Sequence, residues 1–394
     1  MKWPMVRLKE VASVESGFGF PLDYQGEVGG EIPFYKVSDM NLPGNEVEMR
    51  LHNNSVSLEK LSELGARDFP PETVIFPKIG AAIATEKKRI LTRPSTFDNN
   101  VMGIVSKKYV IPKYIFYWIS SIRLEGLANP GHVPSIKKSV MEEQMIPLPP
   151  LSEERRIVEI LDEADRIRRL RKEANQKAEK IIPALFIKMF GNPETNPKGW
   201  KIQHIKDVVL STDYGTSSKA SSDGLGLPII RMGNIDYEGR LDLKDLKYVQ
   251  LEHAEIERLS LKAGDILFNR TNSKELVGKT GLWDGGIEAV PASYFIRVRV
   301  NPDIITPCFL WVFMNSNHMK KLLFSTARGA IGQANINARE LKDFSIFIPL
   351  IDKQKLFENM LEKIKRLIHH QSESLLKSEN LFSMLLMQSF SGRK

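Results

Sequence analysis

Residues 135–151 read SIKKSVMEEQMIPLPPL, and residues 335–351 read NINARELKDFSIFIPLI, and the two align without a gap. Working outward, further pairs keep the same order. WPMVRLKEV (3–11) matches WKIQHIKDV (200–208), and IPFYKVSDM (32–40) matches LPIIRMGNI (227–235). TVIFPK (73–78) matches DILFNR (265–270), and PKYIFYW (112–118) matches PCFLWVF (307–313). All five offsets lie between 192 and 200. One such match is chance; five in register mean that the chain is written twice, in units of just under 200 residues.

Each copy divides again. Residues 1–150 and 191–350 carry short β-type runs (TVIF, DILF, YFIRVRV) bounded by Gly, Pro, Asn or Asp. Residues 151–190 and 351–394 read as helix, with Ser152 and Asp352 as expected N-caps. In the first, Ile157, Ile160, Ala164, Ile167, Arg171, Ala174, Ala178, Ile181 and Leu185 step alternately by three and four, the period of a coiled-coil seam. Phe357, Met360, Ile364, Leu367, Gln371, Ser374, Ser378, Leu381 and Leu385 repeat that pattern 200 residues on. Polar Arg171 and Gln371 hold equivalent seam positions, where paired polar groups set register at a cost in stability.

Geometry then restricts the topology. The helix from Ile157 to Leu185 rises about 42 Å, and only GNPETNPKG (191–199) separates it from the second copy. If the final helix pairs with the first, it runs back antiparallel. The expected fold is α+β, with two mixed α/β domains related by a pseudo-two-fold axis and separated by an antiparallel two-helix coiled coil. The separation expected is about one DNA turn, roughly 34 Å, or somewhat more. Pro183 predicts a kink or break. The apolar LFSMLLMQSF (381–390) predicts docking onto a domain or a partner chain.

Composition narrows the function classes. The 394 residues are 42% hydrophobic and carry a formal net charge of +8, ordinary for globular domains and weakly favourable to polyanion partners. The lone cysteine, Cys308, lies in an apolar run and reads as an inert core residue. No signal peptide or membrane span is expected, which makes the cytoplasm the default compartment. The Asn/Asp-Pro-Pro-Tyr/Phe methyltransferase signature is absent, and SKELVGKT (273–280) has Ser273 where a phosphate-binding loop needs Gly. The histidines show no ligand spacing. The balance moves to a binding protein with no metal or cofactor site of its own.

Cationic and amide side chains recur at matching places and are the DNA-binding candidates. One set is Lys78, Lys87, Lys88 and Arg89, against Arg270, Asn272, Lys274 and Lys279. Another is His132, Ser135, Lys137 and Lys138, against Arg328, Gln333, Asn335 and Asn337. Lys36 and Arg231 follow the IP/LP starts, with Asp39 and Asn234 three residues on. Small-residue loops let a backbone approach phosphate, while Arg, Asn and Gln can also reach base edges.

With these residues in hand, the chain resembles the specificity subunits of type I restriction–modification systems over essentially its whole length. IPLPPLSEERRIVEILD (146–162) resembles that family's junction between target-recognition domain and conserved helix. MFGNPETNPKGW (189–200) resembles the entry to its second half, and LFSMLLMQSFSG (381–392) its ending. The second junction, IFIPLIDKQKLFENML (346–361), departs from the proline-rich, acidic pattern at Ile351-Asp352-Lys353. The resemblance implies target-recognition domains at 1–150 and 191–350 and conserved spacer helices at 151–190 and 351–394. It also implies a non-catalytic subunit that reads an asymmetric bipartite site in double-stranded DNA. The implied partners are two adenine-N6 methyltransferase subunits, which bind S-adenosylmethionine and flip the base, and motor–nuclease restriction subunits. From the residues alone, a self-contained DNA nuclease or modification enzyme and a protein-binding repeat scaffold stay open.

Overall fold

The run Val74–Pro77 is buried along its whole length because it is the middle strand of a five-stranded sheet. The order is Ala12–Ser16, Val101–Ser106, Val74–Pro77, Arg89–Leu91, Glu48–Met49, antiparallel except for the last pair. Its repeat-mate Ile266–Asn269, equally buried, sits between Phe295–Val300 and Thr280–Leu282 in a four-stranded antiparallel sheet, with Val209–Tyr214 outermost. The IP/LP segments also correspond. Ile32–Tyr35 pairs antiparallel with Ser55–Val56 and parallel with Thr96–Phe97. Leu227–Ile230 does the same with Lys247–Val249 and Val290–Pro291. A two-stranded clasp ties the start of each copy to its end, Met5–Arg7 with Met145–Pro147 and Lys201–His204 with Ser345–Ile348.

This structure, a computed structural model, describes residues 3–327 and 334–390. It falls into two units, Met1–Lys172 with Glu373–Lys394, and Glu173–Ser372. Each has its own core, built around an aromatic helix that opens on proline. In the first unit this is Pro112–Ser120, in the second Pro307–Met314. Proline suits the first helical turn, where its missing N–H is not needed. Both helices are apolar on nearly every side because both are buried. Cys308 lies in the second of them, and burial pushes its thiol up to about 12, which leaves it unreactive.

The long helices run over Leu151–Glu179, Ile181–Phe190 and Ile351–Phe390. The break falls at Lys180, just before Pro183, whose ring cannot donate to the carbonyl of Glu179. Helix starts fall at Leu151 and Ile351, so Ser152 and Asp352 occupy the first turn and are not caps. In the first unit Ile157 and Leu161 share a core with Phe382 and Leu386, and the Arg168 guanidinium lies 4.5 Å above the Phe382 ring. In the second, Phe186 and Phe190 share a core with Phe357 and Leu361, and Ser372 hydrogen-bonds Asn175. Early turns of one helix thus meet late turns of the other, which is antiparallel pairing.

The seam departs from the expected one at some positions and keeps it at others. Ile157, Ala164, Arg171, Ala174, Ala178, Leu185, Phe357, Ile364, Ser374, Ser378 and Leu385 are buried or half-buried. Ile160, Ile167, Ile181, Met360, Leu367, Gln371 and Leu381 are exposed, and Leu161, Arg168, Ile182, Leu361, Ile368 and Phe382 turn inward in place of all but Gln371. The apolar doublets Ile160-Leu161, Ile181-Ile182 and Leu381-Phe382 allow either phase. In the first unit the domain helix decides it, with the Tyr117 ring 6.4 Å from Phe382 and Leu161 in the same core; in the second, Ile182 packs against the core that holds Phe186 and Phe190.

Candidate nucleic-acid interface

Two loops distant in sequence close on one another in each unit. In the first, strand Val74–Pro77 runs out into Lys78, whose N–H donates to the Asn100 carbonyl (2.8 Å) and whose carbonyl accepts from Ile136 (2.9 Å). Ile79 bridges Ser135, which joins the Lys78–Arg89 and His132–Lys138 segments. In the second, strand Ile266–Asn269 runs out into Arg270, whose N–H donates to the Tyr294 carbonyl (2.9 Å) and whose carbonyl accepts from Ile336 (2.9 Å). Thr271 and Asn272 then pair with Asn335 and Ala334. The same backbone junction is therefore built twice, with a cation at its head each time.

The head cations are held differently. Lys78 Nζ donates to Ser16 Oγ at 3.1 Å, and burial lowers its pKa. The Arg270 guanidinium lies 4.8 Å from the centre of the Tyr214 ring, and its Nε is buried without a partner among the described residues. Ser16 and Tyr214 end equivalent strands, and neither stood out in the sequence because each is remote from the loop it meets. The Ser-Gly and Tyr-Gly steps were the available signal. A Cβ on Gly17 would sit 2.0 Å from the Asp98 carbonyl oxygen, and one on Gly215 would sit 2.2 Å from that of Pro291. Only glycine permits that approach.

The remaining candidates separate by accessibility. His132, Lys137, Lys138, Lys274 and Asn335 are exposed, and Lys87, beside Asn41, and Asn272 are half-exposed. Others serve the fold. Lys88 is buried, with Nζ on Glu86 and the Ile122 carbonyl (3.1 Å). Arg89 donates to the carbonyls of Lys88 (2.8 Å) and Met40 (3.0 Å). Lys279 Nζ donates to the carbonyls of Met232 (2.8 Å) and Ile235 (2.6 Å). Asn337 caps helix Ala338–Asp343. Asn234 is buried and accepts from the Arg231 N–H (2.9 Å), as Asp39 accepts from that of Lys36 (2.7 Å). Lys36 Nζ rests on Gln25 (2.6 Å), and Arg231 reaches the Asp245 carbonyl (3.2 Å). Arg328 and Gln333 lie outside the described residues. Within reach of the junctions are thus cations and amides that can meet phosphates and base edges. Among the described residues no group of three His, Cys, Asp or Glu could hold a metal ion, and no helix is long and apolar enough to cross a membrane.

The chain repeats one mixed α/β unit, with cationic loops at matching places and long helices. The type I restriction modification DNA specificity domain matches it twice, over residues 1–180 and 197–378. The chain belongs to that family. It is 29% identical over 174 residues to a putative type I restriction enzyme MjaX specificity subunit of Methanocaldococcus jannaschii, covering 44% of this chain and 41% of that one. It is 23% identical over 290 residues to the type I restriction enzyme EcoKI specificity subunit of Escherichia coli, covering 68% and 62%. The chain therefore spans about two fifths and three fifths of the length of these two relatives. In fold it is similar to the type I restriction–modification S subunit from M. genitalium, at a TM-score of 0.56 and 11% identity over 98% of this chain and 96% of that one.

Proposed function

We propose that this chain is the non-catalytic, DNA-reading specificity subunit of a type I restriction–modification complex in the cytoplasm. Each unit's loop junction contacts one half of an asymmetric bipartite site. The long helices set the gap between the halves. The observation that carries this reading is the junction built twice on one backbone plan but furnished differently, with Lys78 and Ser16 in one unit and Arg270 and Tyr214 in the other. Two copies of one frame with different side chains suit two different half-sites.

The partners follow from what the chain offers. Ile160, Ile167 and Leu170 on the first long helix, and Met360 and Leu367 on the last, are exposed apolar side chains, which suits packing against other subunits. These would be two adenine-N6 methyltransferase subunits, carrying the S-adenosylmethionine that this chain does not bind, and motor–nuclease restriction subunits. The reader would hold the duplex while a partner flips the target adenine.

Coexpression with the neighbouring coding regions, followed by mapping of methylated adenines, tests the reading. The expected result is one interrupted motif with unlike halves. Arg270→Ala should relax or weaken one half only, by about 1–3 kcal/mol if the contact is a bidentate base contact. Methylation by the chain alone, or equal loss at both halves, would overturn it.

A further inference from the structure

Beside the Arg270–Lys279 loop, the second unit has a cleft of about 540 Å³. It lies between that loop, Tyr237 and helix Asn317–Thr326. Lys274 Nζ stands 4.7 Å from the centre of the Phe324 ring, and Lys320 Nζ stands 3.7 Å from that of Tyr237, with Lys321 alongside. Both rings are exposed. The nearby acids Asp236 and Glu238 are spent on Arg240, at 2.7 and 3.5 Å. Among the described residues no ion pair neutralises Lys274, Lys320 or Lys321, and with Lys279, whose Nζ is held by backbone carbonyls, four positive charges and two aromatic faces line the cleft against one lining carboxylate, Glu275. Such a cleft attracts an anion.

We propose that this cleft grips the sugar–phosphate backbone of DNA flanking the second half-site, a contact the first unit lacks. The inference rests on the functional reading above and deepens it. Burial lowers the pKa of Lys320, a group that an incoming phosphate would re-stabilise in its charged form.

The loop's amides show why the anion is a DNA backbone and not a small phosphate. The amides of Leu276 and Val277 donate to the Ser273 carbonyl and that of Gly278 to the Asn269 carbonyl, at 3.1, 2.9 and 2.8 Å. The Ser273 amide donates to Asn272 Oδ1 at 2.9 Å. With these four amides taken, the successive N–H groups that a phosphate-wrapping loop needs are not available as a set. Long lysines on an open cleft, continuous with the reading loop, suit a backbone that lies along the surface.

The first unit has different chemistry at this place. Counting back along the repeat, Tyr237, Lys274, Lys320, Lys321 and Phe324 correspond to Leu42, Ala82, Glu125, Gly126 and Asn129. There Glu86 accepts the amides of Leu124 (3.0 Å) and Glu125 (3.3 Å) and pairs with Lys88.

The test is binding of the full chain, at several salt concentrations, to a duplex carrying its mapped methylation motif. The wild type is compared with the triple variant Lys274→Ala, Lys320→Ala, Lys321→Ala, and with the same three changed to Arg. Each phosphate contact contributes about 0.9 to the slope of log affinity against log salt. The alanine variant should lose about two to three units of slope and keep the same methylated motif, and the arginine variant should keep the slope. A wild-type slope in the alanine variant overturns the proposal, as does ATP binding that the alanine changes abolish while the slope stays put. A wild type without salt-dependent binding fails the functional reading itself, which separates the two.

Discussion

Glu154 and Gln354 occupy one place in the two repeats, both wholly buried in the first turns of the long helices. Gln354 Oε1 accepts from the Thr306 N–H (2.9 Å), while its Nε2 donates to the carbonyls of Ile304 (3.0 Å) and Pro349 (2.8 Å). Glu154 Oε2 accepts from Ile111 (2.7 Å), but Oε1 has no partner among the described residues. A proton on Oε1 would let it donate as the amide does. Burial raises the Glu154 pKa, against the pull of the Ile111 N–H. The facing titratable group is Tyr114, whose hydroxyl donates to the Pro147 carbonyl (2.8 Å) and which burial also pushes up. Lys113 is paired with Asp162 (2.8 Å), and Lys107 and Tyr109 are spent on backbone carbonyls of Lys9 and Glu10. A folded carboxyl that titrates above the ordinary glutamate value stabilises fully below that value. The contribution is lost as pH rises through the folded pKa. The thermal unfolding midpoint of the first unit should therefore fall as pH rises above about 4.5. Glu154→Gln should remove that decline, and Gln354→Glu should introduce one in the second unit. Arg297 offers a second residue-scale test. It is buried, 3.0 Å from the part-exposed Asp213 and 4.0 Å from the buried Asp265 that Arg299 also holds (2.9 Å), so Arg297→Met should cost about 1–3 kcal/mol in chemical denaturation, chiefly by leaving Asp265 with one cation and the Ser260 carbonyl without its donor.

At the scale of elements, the long helices show where sequence reading stops. Their length and the break before Pro183 were legible from periodicity and from proline's missing donor. The phase was not, because Ile160-Leu161 and Leu381-Phe382 present apolar side chains on both sides of the seam. Only the aromatic helix Pro112–Ser120, brought up by the domain, decides which member is buried. The member left outside then becomes a test of partner docking. Ile160→Asp with Ile167→Asp should leave the chain's unfolding midpoint within about 0.5 kcal/mol of wild type, since neither side chain lies in a core. Copurification with the methyltransferase subunits should fall sharply; undiminished copurification would place docking elsewhere. The loops show the same limit. Lys78 and Arg270 were legible as paired positions. That Lys88, Lys279 and Asn337 would bond the protein's own backbone was not, because their partners Ile122, Met232 and Ile235 lie outside the local sequence and Asn337's capping role depends on where the next helix starts.

For the molecule as a whole, each unit's core takes residues from both long-helix segments. Phe382 and Leu386 complete the first unit's core, and Phe357 and Leu361 the second's. A chain ending at residue 372 should thus lose about 5 kcal/mol from the first unit, from the burial of Phe382 and Leu386. Amide exchange should quicken in strands Val74–Pro77 and Val101–Ser106 while Ile266–Asn269 keeps its protection; equal quickening in both would refute separate cores. By itself the sequence determined the duplication, the helical segments and the cationic loop positions, because repeats, periodicity and charge are properties of the chain read in order. Tertiary structure alone decided which face of each helix is buried, which cations are free, and that the two loops of each unit meet. Those depend on contacts between residues far apart in the chain, and packing selects among side chains that are chemically alike.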